Sequence, residues 1–321
     1  MNETNEPAPI HHVPRARHAF DAKMHDGAMI HIRQHGNPGA PRLVLSHGNG
    51  LAIDGYFPFW GPLRERYEVV VFDFRNHGHN PLHGAEGHTW QNFIADMDVV
   101  WHAINRELGA KPAAGLFHSL SGVTAAMHAF KFGPRFDALV LFDPPVYPRA
   151  GHPIQYLQQS DKESLASRAA RRPERYKDPM ELANQFKRRF KRWMPDAYEL
   201  MARATLRKVG RAAVSAGSSG DWILACPREY EAHVFSSGAN PNLWPQMAHC
   251  PVPVKMVCGD PTLEEVMPPA LIGRAMAEEL GLPYEAIPGT SHFLQIERPL
   301  ECIRAVESFL APLGLAAPAT L

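Results

Sequence analysis

The stretch GLFHSLSG, residues 115–122, holds two serines, a histidine before the first and a glycine at each end. It has the makings of a strand-to-helix turn that exposes a nucleophilic serine, although it departs from the usual G-x-S-x-G spacing. Such a turn strains the backbone of its serine, and small residues around it let strand and helix pack closely. With Ser119 as nucleophile, Phe117 lies two residues before it, and Ser121 and Gly122 follow. With Ser121 as nucleophile, the β-branched Val123 and Thr124 fall at the crowded crossing. Crowding therefore favours Ser119. The competing reading of the same serine is a helix cap. A serine hydroxyl is a weak nucleophile at neutral pH and needs an adjacent base. That base in turn needs a carboxylate to fix its tautomer.

These side chains must be held by elements. FDAKMHDGAMIHIRQHG, residues 20–36, reads as a hairpin hinged on Asp26-Gly27. RLVLS, YEVVVF, AAGLFH and DALVLF are short apolar runs of the type buried on both faces of a sheet. Between them, Trp90, Phe93, Ile94, Met97, Trp101, Ile104 and Leu108 recur at helical spacing, with Gly109 as a stop. Another helix follows the serine turn. Strands alternating with helices predict an α/β fold with a mostly parallel, doubly wound sheet.

The alternation breaks at residue 143, where Pro144 and Pro145 stop a strand, and resumes at PVPVKMVCGD. Residues 143–252 carry several helical stretches and no clear buried strand, far too much chain for an ordinary loop. They are expected to form an inserted helical lid after strand six, above the carboxyl ends of the strands, where ligands bind in open sheets. Within the lid, ELANQFKRRFKRW has Leu182, Phe186 and Phe190 on one face of a helix and basic residues elsewhere. That basic face is either solvated or able to meet an anionic substrate. The expected plan is a loose tail at 1–17, a core at 18–142 and 253–321, and the lid at 143–252.

Composition excludes several classes. Of the 321 residues, 45% are apolar, enough for a large core. Basic and acidic residues number 33 each, which gives no electrostatic reason to expect nucleic acid or a membrane surface as partner. No run of about 18 apolar residues occurs. The polar start MNETNEPAPIHHVPRARH lacks the apolar stretch of a signal peptide, so a cytoplasmic protein is expected. Cys226, Cys250, Cys258 and Cys302 are scattered and read as buried thiols. The histidine-rich HHVPRARH and NHGHNPLHGAEGH lack both the H-E-x-x-H spacing and paired cysteines, so neither a metal nor another cofactor is expected.

Five motifs in order, SHGNG, FDFRNHGHN, FHSLSG, CGDP and GTSHF, together resemble the α/β-hydrolase fold superfamily from about residue 20 to about 312. The resemblance implies a serine hydrolase acting on a small molecule through an acyl-enzyme. It assigns Ser119, preceded by His118 as in the family's common GHS form, as nucleophile, and His292 in GTSHF as base. Phe117 departs from the glycine usual at its place. Asp260, directly after Gly259, is the expected acid, because the family most often draws its acid from the strand before it. Asp143, where some members keep theirs, is the alternative, with Glu264 and Glu265 behind. The backbone N–H groups of Asn49 and Leu120 are the expected oxyanion donors. Asp73 and Arg75 resemble a structural D-x-R loop. A carboxylic ester is the expected bond. A carbon–carbon bond in a diketone or a lactone would use the same triad, and a non-catalytic member would bind a small molecule in the same pocket.

Overall fold

A computed structural model describes residues 12–209, 221–238 and 242–317, the side chains of 158–162 excepted. Residues 1–11, most of the expected tail, lie outside them. The expected hairpin is β1 (His18–Lys23) and β2 (Met29–Gly36), with Gly27 at φ 90° in its turn. Then follow β3 (Arg42–Ser46), α1 (Phe57–Leu63), β4 (Glu68–Phe72), α2 (Trp90–Leu108), β5 (Ala113–His118), α3 (Leu120–Phe132) and β6 (Ala138–Phe142). The helix of residues 90–108 starts on Thr89, whose hydroxyl accepts the Asn92 N–H at 3.3 Å, and stops at Gly109 with φ 79°.

The long interruption holds α4 (Tyr156–Ala170), β7 (Arg175–Tyr176), α5 (Pro179–Arg189), α6 (Pro195–Ala204), β8 (Leu206–Lys208), β9 (Trp222–Leu224), α7 (Arg228–Ser237) and α8 (Leu243–Gln246). The insert, read from the sequence as helical, also holds three short strands. β7, β9 and β8 form a small antiparallel sheet in that order. Its strands are two or three residues long, too short for any alternation to show in the sequence. The basic helix also stops sooner than its pattern suggested, at Arg189, leaving Lys191 and Arg192 beyond it.

The chain returns to the main sheet with β10 (Val254–Cys258), α9 (Pro268–Leu280) and β11 (Tyr284–Ala286), and ends in α10 (Leu294–Glu297) and α11 (Pro299–Leu310). The main sheet has eight strands in the order β1-β2-β4-β3-β5-β6-β10-β11. Only β2 runs antiparallel to its neighbours. Every residue of β3, β4, β5, β6 and β10 is buried, as expected of strands covered by helices on both faces. Alternate side chains serve two cores. Leu43, Leu45, Val69 and Val71 join one with α1 and α11, while Val44, Val70 and Phe72 join the other with α2 and α3. The strand order reverses between β3 and β5, so the loops leaving these two strands open a crevice at their carboxyl ends. Among the described residues no helix is long and apolar enough to cross a membrane.

Candidate active site

Ser119 follows the last residue of β5 and precedes α3, at φ 52° and ψ −115°. A non-glycine residue rarely adopts a positive φ, and the strain is held by hydrogen bonds on both sides. Its N–H donates to Phe142 O of β6 at 2.9 Å, and its carbonyl accepts the Val123 N–H at 3.1 Å. Gly122 is the small residue at the crossing: a Cβ there would stand 3.2 Å from Phe117 O and 3.3 Å from Pro144 Cβ. Phe117 itself is fully buried and meets Phe136 edge-on at 5.4 Å, so its bulk goes into the core. Ser121 is fully buried and closes a ring with His118, accepting its N–H and donating to its carbonyl, both at 2.8 Å. The second serine is a turn brace.

His292 lies in the loop after β11, and its Nε2 is 3.0 Å from Ser119 Oγ. Its Nδ1 is 2.6 Å from Asp143 Oδ2. The acid beside the histidine is therefore Asp143, and the expectation of Asp260 is corrected. Asp143 directly follows β6 at φ 45°, a left-handed conformation that aspartate tolerates better than most residues. It is fully buried, with its Oδ1 taking the Gly259 N–H at 3.2 Å. Asp260 is spent elsewhere. Its Oδ1 accepts from Thr262 N (2.9 Å) and Oγ1 (2.6 Å), and its Oδ2 from Gly289 N (2.8 Å). These donors, Gly289 first, hold its carboxyl below the usual range. Glu264 and Glu265 are exposed.

Several residues beyond the expected triad seat the histidine loop. Gly259 serves close approach: a Cβ there would stand 2.7 Å from Ser291 O, where the loop crosses the end of β10. Glu297 accepts Ser291 N–H and Oγ–H, each at 2.6 Å. Tyr56 and His118 tie the loop to the turn. His118 Nε2 faces a carbonyl, His292 O, at 2.8 Å, so Nε2 carries the proton. Its Nδ1 then accepts from the Tyr56 hydroxyl at 2.7 Å, which accepts the Gly48 N–H at 3.2 Å. Burial, reinforced by neighbouring His292, pushes the His118 pKa well below its ordinary value and keeps the ring neutral in this chain.

Gly48 brings the loop after β3 against the serine turn, for a Cβ on it would stand 3.2 Å from Ser119 Cβ. Asn49 follows, its Nδ2 donating to Glu231 O of α7 at 3.0 Å. Leu120 opens α3, where the first N–H groups lack partners within the helix. Leu120 thus follows the serine directly, and Asn49 follows the glycine packed against it. Asp73 and Arg75 are structural braces: Asp73 takes the Ile53 N–H at 2.7 Å, and Arg75 clamps Asp96 and Asp26.

A metal has one set of candidate ligands among the described residues, the buried His77, His88 and Cys226, whose ligand atoms lie within 4.8 Å of one another. Proton positions argue against it. Asn76 Oδ1 accepts the His83 N–H at 2.6 Å, so Asn76 Nδ2 must be the donor to His88 Nδ1 at 3.1 Å. Neutral His88 then carries its proton on Nε2, the nitrogen left without a hydrogen-bond partner. His77 Nε2 already accepts the Gly50 N–H at 3.2 Å. The donor set does not fit a metal.

The insert reaches the same place. Phe190 and Trp193 stack at 4.7 Å, and both pack against Phe293, at 4.7 and 5.1 Å, next to His292.

The sequence matches the family model described as "Alpha/beta hydrolase family" over residues 43–305. Among solved structures, the chain is similar to an E-2-(acetamidomethylene)succinate hydrolase, at 18% identity and TM-score 0.71, over 92% of this chain and 100% of that one. It is also similar to an alpha/beta hydrolase from Novosphingobium aromaticivorans DSM 12444, at 17% identity and TM-score 0.69, over 93% and 99%. A thermophilic esterase from Thermogutta terrifontis matches at 18% identity and TM-score 0.65, over 92% and 99%. At such identities these likenesses concern the fold. With the strained serine, the eight-stranded sheet and a match over most of its length, the chain belongs to the alpha/beta hydrolase family.

Proposed function

We propose that the protein is a serine hydrolase that cleaves a carboxylic ester of a small substrate with a hydrophobic or aromatic body, by way of an acyl-enzyme. The observation that carries this reading is the continuous hydrogen-bonded line Ser119 Oγ, His292 Nε2, His292 Nδ1, Asp143 Oδ2. Asp143 accepts the Nδ1–H and leaves the Nε2 lone pair facing the serine, the tautomer a general base needs. His292 takes the Ser119 proton as Oγ adds to the ester carbonyl, and gives it to the departing alcohol. Water then attacks the acyl-enzyme with His292 as base, releasing the acid and restoring Ser119. The Asn49 and Leu120 N–H groups stabilise the negative oxygen of each tetrahedral intermediate. The insert acts as the lid, and Phe190, Trp193 and Phe293 supply an apolar wall for the substrate body.

The test is a turnover screen of short and long acyl esters, aromatic esters, lactones and ring-cleavage diketones, beside labelling with a fluorophosphonate. Ester turnover, with label on wild type and none on Ser119→Ala, is expected. Labelling that persists in Ser119→Ala, or turnover of diketones alone, overturns the reading.

A further inference from the structure

Residues 12–17 lead into β1 and are fixed at two points. Val13 packs against the apolar core, and the Arg17 N–H donates to Gln34 O of β2 at 2.8 Å. Together with β2, the turn before α1, the loop after β4 and the end of α6, this segment encloses a cavity of about 720 Å³. Small-molecule sites span roughly 300–1,000 Å³, so the space suits a ligand of that class. None of Ser119, His292, Asp143, Asn49 and Leu120 lines it.

The walls are basic. Ile30 and Ile32 of β2 turn into the core, so His31 and Arg33 face the cavity. Arg33 Nη2 donates to Asp54 Oδ1 at 2.6 Å, and His79 Nε2 stands 3.0 Å from Asp54 Oδ2. The Arg33 and Asp54 side chains are each only 12% exposed, so the pair is built into the floor. The hydrogen bond to Asp54 raises the His79 pKa against the opposing effect of burial. The one carboxylate lining the cavity is thus shared by two basic groups. Arg15 and Arg17 add guanidinium groups from the segment above, and Arg203 adds one from α6. Just outside, Glu199 pairs with Arg203 and Asp21 with His31. With these carboxylates taken, Arg15 and Arg17 are left without an acidic partner among the described residues. The chain as a whole has equal numbers of basic and acidic residues, so the surplus is local.

We propose that this cavity binds a small organic phosphate, held at its phosphoryl group by Arg15, Arg17 and Arg33. A carboxylate offers two oxygens in one plane. A phosphoryl group offers three around a tetrahedron and a charge near −2, which suits guanidinium forks reaching it from two walls. Asp54 holds Arg33 across the floor, and that bond uses one of the five N–H donors of the guanidinium. Ala16, Ala19, Leu200 and Ala204 give apolar surface to the organic body. The site goes beyond the ester-hydrolase reading and does not rest on it, because its ligand is not the molecule attacked by Ser119.

The test is a binding measurement on the whole protein and needs no turnover. Wild type is titrated by calorimetry with AMP and adenosine, and with phenyl phosphate and phenol, each pair differing in the phosphoryl group alone. At least one phosphate ester is expected to bind at least about tenfold more tightly than its partner. Arg15→Gln with Arg17→Gln, both at exposed positions, is expected to remove most of that preference. Arg33→Gln is expected to weaken it too. That variant leaves Asp54 with His79 alone and can loosen the fold, so the exposed pair decides. Lys187→Gln with Arg188→Gln removes the same charge from α5, outside the cavity, and is expected to change nothing. Equal affinity within both pairs, binding of neither phosphate ester, a preference untouched in the Arg15 and Arg17 variant, or one lost equally in the Lys187 and Arg188 variant overturns the site. So does a phosphate ester that slows fluorophosphonate labelling of Ser119 equally in wild type and in the Arg15 and Arg17 variant, since it would then occupy the catalytic cleft.

Discussion

Asp143 and Asp260 stand one residue beyond β6 and two beyond β10, at the carboxyl ends of neighbouring parallel strands. Both follow apolar runs, and both touch the loop or ring of His292. Yet one has an oxygen against the imidazole and the other is tied to backbone on the outside of the same loop. The difference lies in the backbone. At φ 45° Asp143 turns its carboxyl beneath the histidine, where it is fully buried. Asp260 accepts from Thr262 and Gly289 and so holds the loop that carries the ring. One aspartate faces Nδ1 of the imidazole, and the other helps hold the segment that presents the ring.

The largest expected effect tests whether this whole end of the sheet acts as one site. Ser119→Ala should keep its fold and lose ester turnover by about 10⁴-fold or more. Ser121→Ala, which removes a brace of the turn, should cost far less; equal losses would break the assignment of Ser119. The comparison itself is tested next. Asparagine at Asp143 preserves shape but offers an amide to the imidazole and favours the wrong tautomer, a change that costs about 10⁴-fold in the well-studied protease case. Asp143→Asn should fall in that range, and Asp260→Asn should lose less than about tenfold. A reversed ranking in steady-state kinetics would return the catalytic acid to β10.

The sequence was explicit about everything that repeats locally. Apolar runs reported the buried strands, helical spacing reported residues 90–108, and the crowding of Val123 and Thr124 separated the two serines. The acid is harder to read because both candidates share the same local context. Only the pairing of a side chain with a ring 149 positions away distinguishes them, and no local pattern encodes it. Asp143 did carry a faint signal. It sits between a strand and Pro144, a place where an ordinary helical exit is disfavoured and an unusual backbone is easily required. The small sheet in the insert was hidden for a different reason: Tyr176 and Trp222 pair across nearly fifty residues through strands too short to show a period.

Gly259 sharpens the contrast at an intermediate scale. It precedes Asp260, and the sequence suggests that it frees the aspartate to turn inward. Its structural use is to let Ser291 pass over the strand end. In Gly259→Ala the new Cβ would meet Ser291 O at 2.7 Å and Ser291 C at 3.0 Å, both backbone atoms, so the loop must move and carry His292 with it. A misplacement of about 1 Å can cost about 100-fold in rate. Turnover of Gly259→Ala should therefore drop by about 10- to 100-fold. Gly281→Ala, at φ 65° with nothing within 4 Å of its Cβ, is the control: its strain should lower the melting midpoint and leave turnover near wild type. Equal turnover in both variants would mean that the loop has slack, and that Asp260 is not needed to hold it.

The smallest effect concerns what Asp260 contributes to the fold. Its carboxyl is held below 3.8 by the Gly289 N–H and the two Thr262 donors. A depressed carboxyl pKa means that the unfolded chain binds the proton more readily, so protonation favours unfolding. The stabilisation is fully present above the unfolded pKa and disappears as pH falls through the lower, folded value. Asp260 lies near the surface, where solvent screens charge, so the contribution should be under about 1 kcal/mol. Asparagine keeps one acceptor oxygen and turns an amide N–H₂ toward either Thr262 or Gly289, which breaks one side of the tie. Urea midpoints of wild type and Asp260→Asn should therefore differ slightly at pH 7 and draw together below pH 3.8. A gap that stays constant down to strong acid would show that the tie does not depend on the charge. A gap of several kcal/mol at pH 7 would make Asp260 a major structural residue and bring it closer in weight to Asp143.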